Sequence, residues 1–370
     1  MNARLVRNTL VGFAFAALVT GCTEFYGPPE VTVVGLEGKR LEDPRAPIEI
    51  SFSKPIDPST LKLFIAYNDH DIERNLPDEQ TPPQPLRTIF EHNPESSMTD
   101  VGGSSELVDD GRLFRIDLLS APAVGPEFVI VIEPGLMDAE RRASTKTRIR
   151  IPFAYDFRCS GTKGTKLFPP FGYYFFLANI AQPVDTQIRL WVAMKVNQET
   201  GAFVGQFTSA FRDRDPNRCD PRCADTEACR VYPGPPRCVI PSEKAGSVDE
   251  FPDWKPDPVP PVGYSFRVTG CIEDTGPDEA GLANAPVDVV IQKPPVAVRG
   301  VSMNSGFVKD EDGVLRGTGS FTGDQVFLGD VASGPGVGSQ TMRSIAEDEI
   351  PAHFEIPLPE GEPPDVSDEF

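Results

Sequence analysis

Histidine is scarce, with three in 370 residues, at His70, His92 and His353. Scattered in this way, they make none of the spaced pairs that zinc hydrolases or Ser-His-Asp enzymes need. No Gly-x-Ser-x-Gly elbow occurs, because Gly319-Ser-Phe-Thr-Gly323 carries its serine one place early. Gly334-Pro-Gly-Val-Gly338 resembles a phosphate loop but precedes no helical pattern whose N-terminus could hold an anion, so it reads as a flexible turn. Positive charge is also in deficit: 35 Lys and Arg stand against 55 Asp and Glu, a formal net charge of −20. Such a surface repels phosphate backbones and argues against nucleic-acid binding. Long amphipathic helical patterns are missing too, broken up by 39 prolines and 32 glycines. What remains is short strands and many turns, an all-β chain.

The opening stretch has a clear organisation. Arg4 and Arg7 precede an apolar run from Leu10 to Val19, and Val19-Thr20-Gly21 leads into Cys22. The run is far shorter than the ~20 residues a spanning helix needs. With small residues before the cysteine, the segment resembles a bacterial lipoprotein signal. The resemblance implies cleavage after residue 21, diacylglycerol on the Cys22 thiol and an acyl chain such as palmitate on the new amine. Two or more chains hold a protein to a bilayer durably, where one does not. Thr23 after the cysteine implies, by the same resemblance, export to the outer membrane. Residues 22–30, with Gly27, Pro28 and Pro29, make a short tether.

Ile48, Ile50 and Phe52 alternate with polar residues as a half-buried strand should. The run Ile48-x-Ile-x-Phe-Ser-x-Pro-Ile-Asp-Pro-Ser-Thr60 resembles the early strands of the bacterial Ig-like domain of surface-layer proteins, the SbsA type. Leu119 to Ile132, with Val124-Gly-Pro-Glu-Phe128 in its turn, and Gly135-Leu-Met-Asp138 resemble the far end of that family. The resemblance implies an Ig-like β-sandwich over 31–157. It also implies a spacing or adhesive role, and no catalytic residue. Two departures stand out. Ala139-Glu-Arg-Arg142 replaces the usual turn, and Leu76 to Gly111 reads as an enlarged loop.

A second β unit spans 158–356 and reads as a further sandwich or a barrel-like domain. Its clearest strand is Gln187 to Val196, with Ile188, Leu190, Val192, Met194 and Val196 on one face and Arg189, Trp191 and Lys195 on the other. Phe203 to Phe211 returns from it as a hairpin. Further strands are read at Tyr264–Cys271, Val287–Ile291, Val296–Val301 and around Phe307–Gly317, which turns at Asp312-Gly313. Phe321, Val326–Leu328 and His353–Ile356 supply the last ones. The acidic tail 357–370 has four prolines and no base, so it is expected to lack structure.

Six cysteines remain once Cys22 is acylated, an even number in an oxidising compartment, which predicts three disulfides. Cys219, Cys223, Cys229 and Cys238 cluster in a Pro- and Gly-containing insert, 212–242. They lack the Cys-x2-Cys knuckles or histidines of a zinc site and read as a small disulfide knot with three possible connectivities. Cys159 and Cys271, at the margins of the second unit, are expected to pair. Asp213, Asp215 and Asn217 imitate the start of a calcium loop, but the sixth position is not Gly and the twelfth is Ala224 instead of Glu. Asp310-Glu-Asp312 reads as turn chemistry. No cofactor and no metal are expected.

The leading expectation is a non-enzymatic, lipid-anchored outer-membrane protein, facing the periplasm or the cell surface. It would have a structural or recognition role toward an envelope protein or polysaccharide. The alternative is an envelope carbohydrate-binding protein or glycan-acting enzyme in which Trp191, Trp254 or a carboxylate pair of the second domain meets the sugar.

Overall fold

The computed structural model describes residues 26–68, 88–159, 161–183, 185–211, 246–257, 263–291, 296–329 and 331–364. Cys22, His70, the four clustered cysteines and the Asp213–Asn217 group lie outside them. The described chain is all β, in two domains.

The first domain has strands β1 (Val31–Val33), β2 (Arg40–Leu41), β3 (Ile48–Phe52), β4 (Leu63–Tyr67), β5 (Thr88–His92), β6 (Asp100–Val101), β7 (Gly103–Val108), β8 (Leu113–Leu118), β9 (Glu127–Ile132) and β10 (Ile149–Tyr155). They make a four-stranded sheet, β1-β3-β8-β7, and a six-stranded sheet, β2-β10-β9-β4-β5-β6. The alternation in β3 works as expected: Ile48, Ile50 and Phe52 are buried while Glu49 and Ser51 face outward. They meet Ile65, Phe90 and Ile130 of the other sheet in one shared core, which makes the domain a β-sandwich.

The two quoted motif ends come together in space. Asp57 caps the 3-10 turn Pro58–Thr60 by accepting from Ser59 N at 3.1 Å, and Met137 N donates to Thr60 Oγ1 at 3.0 Å. Arg141, from the unusual Ala139–Arg142 turn, donates from Nε to Asp57 Oδ2 at 2.6 Å. Ser59 and Arg141 together hold the Asp57 carboxyl below its ordinary value. The enlarged loop is a correction: of its described part, residues 88–111, most is in β5, β6 and β7, strands that extend both sheets. His92, which falls within that expected loop, is buried in β5.

The second domain has strands β11 (Phe171–Gln182), β12 (Thr186–Val196), β13 (Ala202–Phe211), β14 (Lys255–Pro256), β15 (Ser265–Gly276), β16 (Glu279–Asn284), β17 (Val287–Ile291), β18 (Val296–Lys309), β19 (Leu315–Leu328) and β20 (Val331–Ile345). Leaving aside the short β14 and β17, each strand pairs antiparallel with the next, and β20 returns to β11 with Tyr173 opposite Ile345. The sandwich-or-barrel alternative is therefore resolved as a closed eight-stranded barrel, whose main sheet has no open edge. Alternate residues point inward, among them Phe176, Leu190, Met194, Phe207, Phe307 and Met342. An eight-stranded barrel encloses a space that side chains can fill. Here they fill it.

Two stretches differ from expectation for one physical reason. Gly334 to Gly338 is no turn but part of β20, and β19 runs unbroken through Gly317, Gly319 and Gly323. At Gly317 and Gly338 inward aromatic rings press on the wall, at Gly323 the Val298 side chain and at Gly319 the Asn304 carbonyl. A Cβ at Gly338 would lie 2.3 Å from Phe321 Cζ, and one at Gly317 2.5 Å from Phe307 Cε1, so only glycine fits. His353–Ile356 is irregular chain, not a strand. The expected disorder from Pro357 is also corrected. Residues 357–364 follow a described path with Pro359 buried.

Candidate functional site

The domains meet along a polar junction. Tyr67, ending β4, donates its hydroxyl to Asp288 Oδ2 on β17, and Gly300 N donates to Asp288 Oδ1 at 3.0 Å. Ala121 N donates to Asp324 Oδ2 at 3.0 Å, Val124 N to Pro286 O at 3.1 Å, and Arg45 Nη2 to Ser302 Oγ at 2.8 Å. Gly300, at φ +65°, lies in a gap in the β18–β19 pairing between Arg299 and Ser302, with the register kept on both sides. A Cβ there would stand 2.4 Å from Asp324 Oδ2 and 3.2 Å from Ala121 O, so the close approach of the sandwich requires glycine.

Arg299 is buried beside this point, 4% exposed. Burial pulls its value down, and the Asp288 carboxylate opposes that shift. Burial likewise pushes Asp288 up, against Arg299 and the Tyr67 hydrogen bond. A buried charge left without a counter-charge is costly; Asp288 offsets that cost for Arg299 within the barrel, while the Tyr67 hydroxyl on Asp288 carries the link to the sandwich.

Beside the junction lies a cleft of about 640 Å³. Tyr155 and Arg40 come from the sandwich, Arg158 from the linker, and Phe266 and Arg267 from β15. The C-terminal segment forms part of its wall through Glu362 and Pro364. Arg40 Nη1 stands 3.6 Å from Asp156 Oδ1. In a chain of net charge −20, this cleft has three guanidinium groups, of Arg40, Arg158 and Arg267, balanced by the carboxylates of Asp156, Asp288 and Glu362, so cationic side chains are concentrated here relative to the rest of the surface.

Other expected residues fall elsewhere. Cys159, in the linker, is bonded to Cys271 on β15. Trp191 points out of the barrel but is fully buried, roofed by the return segment through Phe251 and by Phe354. Its Nε1 donates to Trp254 O at 2.8 Å, and the Trp254 ring lies under the Arg189 guanidinium at 4.2 Å. Trp191 therefore has no face to offer a sugar, and both tryptophans pack the outer wall. Asp310 accepts from Val314 N at 2.8 Å in the β18–β19 turn, as turn chemistry predicts.

His92 deserves comparison with a catalytic triad because its Nδ1 lies 2.6 Å from Asp100 Oδ1 and 3.2 Å from Ser105 Oγ. A triad needs the serine on one ring nitrogen and the carboxylate on the other. Here both use Nδ1, and Ser105 Oγ also donates to Asp100 Oδ2 at 2.8 Å. The cluster ties β5, β6 and β7 together. Among the described residues, no three His, Cys, Asp or Glu side chains gather as metal ligands would.

No protein-family model matches the chain, and no curated protein is similar to it. Among solved structures, two of surface-layer protein SbsC are similar at 10% and 11% identity. They cover 86% and 87% of this chain, each with a TM-score of 0.22. The chain spans about half the length of each, 51%. At that score the likeness does not define a common fold.

The cleft and the Tyr67–Asp288 junction were not legible in the sequence. Tyr67 and Asp288 are 221 positions apart, and neither lies in a recognisable motif. One signal was present: Asp288 is the single charge in the otherwise apolar run Val287–Ile291, the kind of charge that needs a partner if its strand is covered.

Proposed function

We propose that this protein is a non-enzymatic, lipid-anchored component of the bacterial cell envelope, held at the outer membrane by Cys22, with a structural or recognition role. In this reading the first domain is an Ig-like spacer. The barrel, bound to it through contacts such as Tyr67 to Asp288 and Ala121 to Asp324, presents the Cys-rich insert 212–242 to an envelope protein or polysaccharide. The observation that carries the reading is the filled barrel: its interior is given over to packing, so recognition falls to loops and outer surfaces. The lipid signal just ahead of β1 fits a sandwich close to the bilayer. The sugar-binding alternative loses one of its aromatic candidates, because Trp191 is enclosed.

The insert leaves the barrel after Phe211, at the end of β13, and the chain is described again from Gly246, whose return segment roofs Trp191. Replacing residues 212–242 by a short Gly-Ser turn preserves both flanks. The expected result is a folded, anchored protein with a melting temperature within a few degrees of the parent that no longer crosslinks to its envelope partner in intact cells. Loss of folding would make the insert a structural staple. Unchanged crosslinking would remove its recognition role.

A further inference from the structure

The C-terminal segment is the feature the fold itself does not use. Residues 357–364, Pro-Leu-Pro-Glu-Gly-Glu-Pro-Pro, join no strand, yet they reach the interdomain cleft. Four prolines set their φ and remove backbone donors, which favours an extended chain before docking. Pro359 is buried. Gly361, at φ +83°, lies so close to Arg267 that a Cβ would stand 3.0 Å from Nη2 and 3.2 Å from Nη1. Glu362 and Pro364 then enter the wall that also holds Arg40, Arg158, Phe266 and Tyr155. The segment carries Glu360 and Glu362 and no base; apart from it the cleft lining has Arg40, Arg158 and Arg267 against Asp156 and Asp288, a net positive wall.

We propose that the cleft is part of a receptor groove for an extended, acidic, proline-spaced peptide, and that this chain occupies one side of that groove with its own residues 357–364. Pre-extended peptides lose little entropy on docking to aromatic-lined grooves, and tethering raises their effective concentration to the millimolar range. The own segment is thus a resident competitor, and a partner with the same peptide chemistry binds only by displacing it. This inference is independent of the membrane anchor and of the insert.

The test uses a fluorescent, end-blocked peptide of residues 357–364 as probe. Binding is read by anisotropy against four proteins: the full chain, the chain ending at Ile356, full-length Gly361→Leu, and the Ile356-ended chain carrying Arg267→Glu. Gly361→Leu puts a side chain at φ +83°, a backbone conformation L residues rarely adopt, and tight against Arg267, which loosens the segment without shortening the chain. The expected result is that the shortened and Gly361→Leu proteins bind the peptide at least roughly tenfold more tightly than the full chain. Arg267→Glu is expected to abolish most of that gain, and added salt to weaken it. Melting curves identify any variant that is unfolded, and if the shortened chain is unfolded, Gly361→Leu decides. Equal binding to the full chain and to a folded, segment-free variant overturns the proposal, as does binding that Arg267→Glu leaves unchanged.

Discussion

Replacing Trp191 by alanine lowers the unfolding free energy of the barrel by about 3–5 kcal/mol, the range for deleting a large aromatic from a packed site. Several losses add up at this position. The side chain is fully buried, so its transfer free energy is lost. Edge-to-face contacts with Phe175, Phe251 and Phe354, at ring separations of 5.5, 6.1 and 5.8 Å, disappear. Trp254 O loses its indole donor, and a buried acceptor left unpaired costs about 1–3 kcal/mol. The cavity cannot collapse readily, because three separate stretches form its walls: β11, the 3-10 segment Val248–Asp253 and irregular chain at Phe354. Trp191→Phe keeps most of the packing and loses only the hydrogen bond, so its effect is the smaller of the two. Urea unfolding followed by circular dichroism measures both. A Trp191→Ala cost below about 1 kcal/mol would mean that the outer wall is open, which would restore a sugar-facing role for this ring.

Removing the Cys159–Cys271 bridge is expected to cost about 2–4 kcal/mol, with about 4.7 kcal/mol as the chain-entropy ceiling for a loop of ~100 residues. The cysteines are 112 positions apart, and the loop between them contains β11 to β14. The bridge also ties the linker leaving the sandwich to β15, close to the Arg158 and Arg267 side of the cleft. Paired replacement, Cys159→Ala with Cys271→Ala, avoids a stray thiol and lowers the urea midpoint, with a somewhat steeper slope because the uncrosslinked denatured chain exposes more surface. An unchanged midpoint contradicts the account. A midpoint that falls only when reductant also reaches the insert would assign the stabilisation to the other cysteines.

The legible parts of the fold were those in which local pattern and final environment agree. Ile48-x-Ile-x-Phe52 and Ile188 to Val196 alternate in sequence and are buried on one face in the structure. Less legible were strands whose composition answers to distant neighbours. Gly338 resembles a turn residue until Phe321 is seen against it, and nothing near Tyr173 announces that its strand pairs with Ile345 and closes the barrel. His92 resembled a loop residue because its partners Asp100 and Ser105 lie beyond an intervening turn. The tail had the composition of a disordered segment. In the structure Pro359 is buried and Glu362 and Pro364 line the interdomain cleft, a placement set by residues far away in sequence.

The central claim is that this chain is held to an envelope membrane by a lipid on Cys22, and metabolic labelling tests it most directly. Cells expressing the wild type or Cys22→Ala are fed radiolabelled palmitate, and each protein is captured and fractionated with the membranes. The account predicts label and membrane attachment for the wild type and neither for Cys22→Ala. Equal labelling of the two, or an unlabelled wild type that still fractionates with the outer membrane, would contradict it.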